Sequence, residues 1–560
     1  MSDHVSDIEM RGKTISAVGM PRNLTRNVTQ WLPFLWRAIC FPGRLPQQQI
    51  YRRQSLLILL ILPAILLYPS RDFLLLEPDE GRYAQLTSEM TFSHDYVVPK
   101  LQGEPYLDKP PLFYYLVSMA YQLLGVSASS ARMVPALIVH LTILLVYLIG
   151  SRSLGESSAF WGALLLSLSP GFMGMGRLLI LDGLLTFCTT AAILGIFEAI
   201  RCRERSLEFP GSSSRSEQNA PVSYSLHLPW WYFSASACGL GILTKGPISL
   251  ILVVFPFFIQ RYLVRGPKIP IKYYGYYLLV ALLINLPWYI AILLREPIFL
   301  RHFFWEHNLL RFLQPFDHLQ PATYYLPILL VGLMPMTFWF YPLVRFFLSS
   351  REREYRWRTP ALGFYALSSL WCLFFFSISG SKLPTYILPA FPTMLLVCGH
   401  FIAHSRYRYS LTFRSGLVVT GIILLFGFYV AVPYYAQKRS PNNRPDIIEY
   451  YCGNREIPVI CFPRNCDSIA FYLRRNDLPN IRSRFTHHLV EKLEQHPKTV
   501  VLLTHRESLQ ALRFLLPGSL KIVETHSFQQ SPEKQNILDR WIGSTPWGLC
   551  DLAVVERVHP

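Results

Sequence analysis

Long apolar segments recur between residues 55 and 435, and most are close to the length that crosses a bilayer. A shorter apolar stretch at 111–125 has the length of an interfacial or re-entrant segment. This pattern predicts a polytopic α-helical membrane domain over residues 55–436. Its eleven predicted spans lie near residues 55–69, 131–150, 157–175, 182–200, 228–243, 247–263, 275–294, 323–347, 360–378, 384–403 and 415–435.

Basic residues cluster on one side of this predicted topology, starting with the polar, basic segment at 1–54. Lys and Arg are enriched in cytoplasmic loops, so that side is predicted to be the cytoplasm. The outer loops at 70–130 and 295–322, together with the tail at 437–560, then lie on the opposite side. The clusters comprise Arg52, Arg53, Arg152, Arg201, Arg203, Arg205, Arg261, Arg265, Lys268, Lys272, Arg345, Arg351, Arg353, Arg356, Arg358, Arg406, Arg408 and Arg414.

The tail at 437–560 has a different pattern, in which short apolar runs replace the long segments. Runs at 457–462, 499–503 and 520–523 predict buried strands, and the stretches 467–475 and 506–516 predict helices between them. We therefore expect a small soluble α/β domain. It carries four cysteines, for which disulfides are chemically allowed on the oxidising side of a membrane without a pairing being specified: Cys452, Cys461, Cys466 and Cys550.

Composition agrees with a membrane protein. Of the 560 residues, 51% are hydrophobic and only 16% are charged, which leaves too little polar surface for a soluble chain of this length. The formal net charge of +18 raises the possibility of a nucleic-acid partner. Because the Lys and Arg residues fall mainly in short loops between apolar segments, membrane orientation explains this charge and a nucleic-acid partner is not expected.

Two charged stretches lie close together in the 70–130 loop: Glu77-Pro78-Asp79-Glu80-Gly81-Arg82-Tyr83-Ala84 and Tyr106-Leu107-Asp108-Lys109-Pro110-Pro111-Leu112. Asp79 and Glu80 can accept a proton or hold a cation. Arg82 and Lys109 can clamp a phosphate, the first as a planar fork and the second as a point charge. Carboxylates beside phosphate-binding cations at a membrane face predict sugar transfer from a polyprenyl-phosphate carrier.

Other polar groups are predicted at the same membrane face. Asp182 lies where the third and fourth spans turn, and helix capping is the alternative role there. His302, Glu306 and His307 offer ligands for a divalent cation, although the same segment could be an amphipathic interfacial helix. In the segment 379–386, a lysine and a tyrosine could complete a phosphate pocket, or the lysine could extend to the interface from a tight turn: Lys382 and Tyr386.

Taken together, these motifs resemble the lipid A 4-amino-4-deoxy-L-arabinose transferase family. The resemblance rests on 78–84, 108–112, Asp182, 305–307 with 311–312, and 382–389. That family belongs to the GT-C class of polyprenyl-phosphate-dependent glycosyltransferases and is related to the protein O-mannosyltransferases. The resemblance implies a GT-C membrane fold with up to thirteen spans and the C-terminal α/β domain. It also implies a bacterial inner-membrane location, with the site and the C-terminal domain facing the periplasm.

The resemblance also implies roles for individual residues. Asp79 would be the main catalytic carboxylate, with Asp182 in support and Glu80 as an alternative. The carrier phosphate would be held by Arg82, Tyr83, Lys109, Arg311, Lys382 and Tyr386. Asp108, His302 and His307 would form a site for a divalent cation, zinc or magnesium. The family often has Glu where this chain has Asp108, so the ligand here is shorter by one carbon.

The function implied is an inverting transferase that moves a sugar, 4-amino-4-deoxy-L-arabinose, from a polyprenyl-phosphate carrier to a lipid A phosphate or a related envelope glycolipid. An enzyme that glycosylates protein hydroxyl groups, like the protein O-mannosyltransferases, is the alternative within enzymes. A lipid-linked sugar transporter or flippase is the alternative from another class. A transporter is expected to carry ionisable groups near mid-membrane, whereas the charged groups here cluster at one face.

Overall fold

A computed structural model describes residues 47–208, 226–264, 269–310, 318–505, 507–528 and 550–558. The chain divides into two units, residues 1–58 and 59–560. Of the first unit, the structure describes the beginning of one helix, Gln47–Leu67. The features that follow belong to the second unit.

Each of the eleven apolar segments contains at least one helix. Among the described residues, five helices are long and apolar enough to cross a membrane, or six if one bent pair forms a single span. This makes the chain a multi-pass membrane protein, while the number of eleven spans stays a prediction. The helices of the membrane domain include Ala128–Leu154, Glu156–Ser167, Pro170–Met175, Asp182–Glu208, Leu228–Lys245, Ile248–Val264, Ile271–Arg295, Tyr325–Gly332, Phe340–Leu348, Glu352–Arg356, Pro360–Ile378, Ala390–His404, Leu411–Phe426 and Val432–Arg439.

Two of the predicted spans contain a break within their apolar sequence. The span predicted at 157–175 ends at Ser167, and a short helix begins at Pro170, which has no N–H to continue the hydrogen-bond ladder. The span predicted at 323–347 bends by 106° between Ala322–Gly332 and Met336–Leu348. Pro335 lies in that break. Hydropathy alone does not detect these interruptions, because the side chains on both sides of each break remain apolar.

The 70–130 loop is an ordered layer at one end of the helices. It contains the helix Asp79–Ser93, a two-stranded antiparallel hairpin and the helix Leu112–Leu124, which is the apolar stretch predicted at 111–125. The hairpin strands are β1 (Lys100–Leu101) and β2 (Glu104–Pro105). The two helices share one apolar core with the beginnings of two membrane helices, and its buried members include Leu86, Phe113, Val117, Ala131 and Leu184.

The C-terminal α/β domain contains a four-stranded sheet in the order β3-β4-β6-β5. Strands β3 and β4 run parallel, and the other pairs run antiparallel. The three predicted strands are present, and β6 was missed. The strands are β3 (Val459–Phe462), β4 (Lys498–Leu503), β5 (Leu520–Ser527) and β6 (Asp551–Arg557), and the helices are Pro445–Cys452, Asp467–Leu473, Thr486–Glu494 and Ser508–Leu515.

The C-terminal domain packs directly on the 70–130 loop. The backbone N–H of Ser468 donates to Oε1 of Glu77 at 2.6 Å, and Nε2 of Gln85 donates to the carbonyl of Arg475 at 2.7 Å. Gly81 permits this approach, since a Cβ there would lie 2.6 Å from Oε1 of Glu77 and 2.7 Å from the nitrogen of Ser468. Phe471 completes the contact as part of the loop's own apolar core. The loop and the domain are therefore parts of one packed structure.

Candidate active site

Asp79 and Arg82 lie in the first turn of the helix Asp79–Ser93. Their side chains form an ion pair, with 3.5 Å between Oδ1 and Nη1, and remain 42% and 28% exposed respectively. The charge of the guanidinium also acts on the hydroxyl of Tyr106, whose pKa it lowers. Because a helix N-terminus carries partial positive charge, this turn suits an anionic ligand held beside a carboxylate.

Glu80, the neighbouring carboxylate, is buried and bonded on both oxygens. Its Oε1 and Oε2 accept from Nε and Nη2 of Arg132 at 2.8 and 2.7 Å. The same carboxylate accepts from the backbone nitrogens of Leu76 at 3.0 Å and Leu179 at 2.8 Å. These bonds join the loop to the helix Ala128–Leu154, which carries Arg132, and to the segment just before the helix Asp182–Glu208. The geometry therefore favours a structural role for Glu80, in place of the catalytic alternative expected from the sequence.

Tyr106 links the first charged stretch to the second. Burial is the main cause that raises the pKa of its hydroxyl; the negative charge of Asp108 raises it further, and Arg82 acts in the opposite direction. Lys109 donates from Nζ to the carbonyl of Asp108 at 3.0 Å. Tyr83 is buried and packs against Phe113 and Tyr114 at the beginning of the helix Leu112–Leu124. It is therefore part of the apolar core beneath the site.

The three residues predicted to hold a metal lie together. Nε2 of His302 and Nε2 of His307 are 3.0 and 3.4 Å from Oδ1 of Asp108. One ligand atom from each residue lies within 4.8 Å of the other two. Both histidines lie on Leu300–Leu310, which is a π-helix. Two imidazoles and a carboxylate form a donor set suited to zinc, which binds histidine nitrogen and carboxylate oxygen.

Neighbouring groups favour the charged form of Asp108 and orient the ring of His302. Burial acts to raise the pKa of Asp108. The charges of His307 and Lys109 and the hydrogen bond with His302 lower it by more, so the net shift of the pKa is downward. Asp108 is therefore ionised at neutral pH. Oε2 of Glu306 lies 3.2 Å from Nδ1 of His302 and fixes the orientation of that ring. A carboxylate behind a histidine is the usual support of a metal ligand.

Asp182 begins the helix Asp182–Glu208 and forms an ion pair that the sequence did not predict. Nζ of Lys245 lies 2.5 Å from Oδ1 of Asp182 and 4.4 Å from the ring centre of Tyr386. Lys245 ends the helix Leu228–Lys245, and Gly246 follows with a φ of +84°. One signal could have identified Lys245: it is a single cation at the outer end of a predicted span, on the same side as Asp182.

Lys382 is buried, and its ammonium group donates to backbone carbonyls. Nζ donates to the carbonyl of Gln320 at 2.9 Å and to that of Ser379. These bonds join two outer loops, so the geometry favours a structural role over the predicted contact with phosphate. Arg311, also predicted to bind phosphate, lies outside the residues that the structure describes.

Comparisons with known proteins agree with this fold. Residues 53–303 match the family model for dolichyl-phosphate-mannose-protein mannosyltransferase. The chain is 30% identical over 408 residues to the undecaprenyl phosphate-α-4-amino-4-deoxy-L-arabinose arabinosyl transferase of Pseudomonas paraeruginosa, covering 71% of this chain and 69% of that protein. It is 34% identical over 354 residues to the protein of the same name from Edwardsiella ictaluri, covering 62% and 58%.

A solved structure extends the likeness to the fold. The crystal structure of ArnT from Cupriavidus metallidurans bound to undecaprenyl phosphate aligns with a TM-score of 0.67 and 19% identity, covering 91% of this chain and 97% of that one. The helical membrane domain and the C-terminal sheet are those of a membrane glycosyltransferase of the GT-C class.

The chain belongs to the family of undecaprenyl phosphate-α-4-amino-4-deoxy-L-arabinose arabinosyl transferases. The expected GT-C fold is confirmed, and so is the expectation of a glycosyltransferase that uses a polyprenyl-phosphate-linked sugar donor. Because the members of this family are glycosyltransferases, the transporter alternative is excluded. The roles of the individual site residues stay predictions.

Proposed function

We propose that this chain transfers 4-amino-4-deoxy-L-arabinose from an undecaprenyl-phosphate carrier to a phosphate of lipid A. The names of its relatives support the sugar and the carrier. The observation that carries the proposal is the accessible ion pair of Asp79 and Arg82 in the first turn of a helix. Arg82 can bind an anion, and Asp79 can stabilise the positive charge that develops on a sugar.

The reaction needs no redox step. The bond between the anomeric carbon and the carrier phosphate oxygen breaks, and its electron pair leaves with the phosphate. An acceptor oxygen forms the new bond from the opposite face, which inverts the configuration. Arg82 and Lys109 stabilise the charge that grows on the leaving phosphate. A lipid A phosphate is already a nucleophile at neutral pH, so Asp79 orients it or balances the oxocarbenium-like sugar.

The second candidate is transfer to a protein hydroxyl group. The match to a protein mannosyltransferase model over residues 53–303 favours it. A hydroxyl acceptor must lose a proton, so Asp79 would then act as a general base. Purified protein in liposomes, supplied with the aminoarabinose donor, should modify lipid A and leave a Ser- and Thr-rich peptide unmodified. Glycosylation of the peptide with unmodified lipid A would favour the second candidate.

We also propose that Asp108, His302 and His307 hold a divalent cation, most simply zinc. The close approach of two imidazoles to one ionised carboxylate supports this. A bound cation would supply positive charge beside the phosphate-binding residues. Elemental analysis of the purified protein should find about one equivalent of metal. Asp108→Ala should lose it, and Asp95→Ala, in the same loop, should retain it. Equal metal content in both variants would contradict the site.

The site is proposed to face the periplasm of a bacterial inner membrane. The alternation of basic loops supports this orientation, because the loops on the other side carry the Lys and Arg clusters. Reporter fusions after Arg205 and after Gln437 should report opposite sides, the first cytoplasmic and the second periplasmic. If both report the same side, the proposed orientation of the 70–130 loop and of the C-terminal domain is wrong.

A further inference from the structure

The π-helix Leu300–Leu310, which carries both histidines of the proposed metal site, packs against the end of the helix Leu228–Lys245. The contact is between Phe303 and Gly246. Gly246 has a φ of +84°, and a Cβ there would lie 2.7 Å from Cζ of Phe303 and 3.1 Å from Cε1. These distances are too short for two carbon atoms, so only glycine leaves room for the ring. The ring of Phe303 therefore lies directly against the backbone that follows Lys245.

Phe303 has little freedom to move away from this contact. It is 1% exposed, and its ring stacks on that of Phe299, with 5.2 Å between the ring centres. Both rings belong to one apolar core, which also contains Leu107 and Leu243. Leu107 immediately precedes the carboxylate of the proposed metal site, and Leu243 lies in the last turn of the helix that ends before Gly246. One core thus supports all three segments.

The backbone of Phe303 is tied to both histidines. His302 is its neighbour in the chain. Nδ2 of Asn308, which follows His307, donates to the carbonyl of Phe303 at 2.7 Å. This side chain closes the turn of the π-helix, in which residues i and i+5 face each other. A shift of Phe303 therefore moves both imidazoles relative to Asp108.

We propose that Phe303 is a positioning residue that couples the proposed metal site to the end of the helix that carries Lys245. This rests on the cation site proposed above. The hydrocarbon ring of Phe303 binds no metal; it fixes the distance between the π-helix and Gly246. Lys245 forms an ion pair with Asp182 at 2.5 Å. Because coupling between two sites acts in both directions, a bound cation would also hold this ion pair in place.

The affinity of the full-length purified protein for Zn²⁺, measured in detergent by competition with a chelator, tests the proposal. Phe303→Leu removes the outer part of the ring and keeps an apolar side chain. We expect it to weaken zinc binding about tenfold, the scale of changes in groups that orient metal ligands. Phe304→Leu is the matched control. Phe304 is the next residue of the same π-helix and packs beside Tyr289, with ring centres 5.8 Å apart, so its loss should leave zinc affinity unchanged.

Gly246→Ala tests the same contact from the other helix. The added Cβ would push the ring of Phe303, and we expect zinc affinity to fall about tenfold again. Gly155→Ala is the control for backbone strain, since Gly155 has the same φ of +84° and no described atom would lie within 4 Å of its Cβ. It should bind zinc normally. Combining Gly246→Ala with Phe303→Leu should not add the two losses, because both act through one contact.

Normal zinc affinity in Phe303→Leu, equal losses in the control variants, or additive losses in the double variant would overturn the positioning role. Affinities are compared on folded, metal-free protein, so that a change in stability alone does not enter. If Gly246→Ala does not fold, Phe303→Leu and Phe304→Leu decide by the same comparison. A wild-type protein that binds no zinc, or an Asp108→Ala variant that binds it normally, would instead contradict the proposed metal site.

Discussion

Replacing Asp79 with Asn is expected to reduce sugar transfer by about two orders of magnitude or more, with normal folding. The amide keeps the size and hydrogen-bonding shape of the carboxylate and removes its charge. Asp79 is partly exposed, and within the described part of the chain its side chain pairs with Arg82 alone, at 3.5 Å, so folding should survive the change. Transfer to lipid A by purified protein, together with thermal unfolding in detergent, measures both effects.

Asp95→Asn is the control for this change. Asp95 lies in the same loop and forms an ion pair with Arg295, whose side chain is 54% exposed. It should retain normal transfer. If Asp79→Asn expresses, binds the carrier and transfers sugar normally, Asp79 is not catalytic, and Asp182 becomes the next carboxylate to test.

Removing Arg82 or Lys109 is expected to weaken carrier binding by about 1.5–3 kcal/mol each, the scale of a hydrogen bond to a charged group. Arg82→Lys should also weaken binding, since an ammonium does not reproduce the planar fork of a guanidinium. Both cations are proposed to meet one phosphate, so the losses in the double Ala variant should not add. Polyprenyl-phosphate affinity is measured in detergent at fixed salt.

Lys100→Ala provides the matched control for these cations. Lys100 is an exposed cation of the same loop, on strand β1, and its loss should leave the affinity unchanged. Strictly additive losses for Arg82 and Lys109 would mean that they do not share a phosphate. Affinity losses as large for Lys100→Ala would indicate general attraction between the loop and an anionic lipid.

The membrane helices could be predicted from the sequence because burial in lipid requires long apolar segments with internal backbone hydrogen bonds. The breaks near Pro170 and Pro335 depend on single residues that leave the hydropathy unchanged. Strand β6 was missed although its first five residues are all buried. Its apolar run, at 552–555, is only four residues long, so the sequence pattern gives a weak signal there.

The metal-binding cluster was predicted by residue type and resemblance, but its geometry depends on an unusual helix. His302 and His307 are five residues apart, which in an α-helix would separate them by about 140° around the axis. The helix Leu300–Leu310 is instead a π-helix, with hydrogen bonds from residue i to i+5. There the centres of the two rings lie 4.5 Å apart. Asp108 lies 194 residues before His302 in the chain, so its contact appears only after folding.

Asp79 and Glu80 show why site roles cannot be assigned from a motif alone. The two carboxylates are adjacent in the sequence, and both fit catalysis by type. Glu80 turns inward to Arg132, which lies on another helix, while Asp79 faces outward beside Arg82. A cation elsewhere in the fold thus decides which carboxylate is accessible. Lys245 was overlooked for the related reason that its partner, Asp182, lies on a different helix.

Mass spectrometry of lipid A from otherwise identical bacterial cells, with and without this chain, tests the central claim most directly. Cells that carry the chain and make the aminoarabinose carrier should contain lipid A heavier by one aminopentose on a phosphate. That species should be absent without the chain and strongly reduced with Asp79→Asn. Unchanged lipid A in cells that express the folded protein and make the carrier would contradict transfer to lipid A.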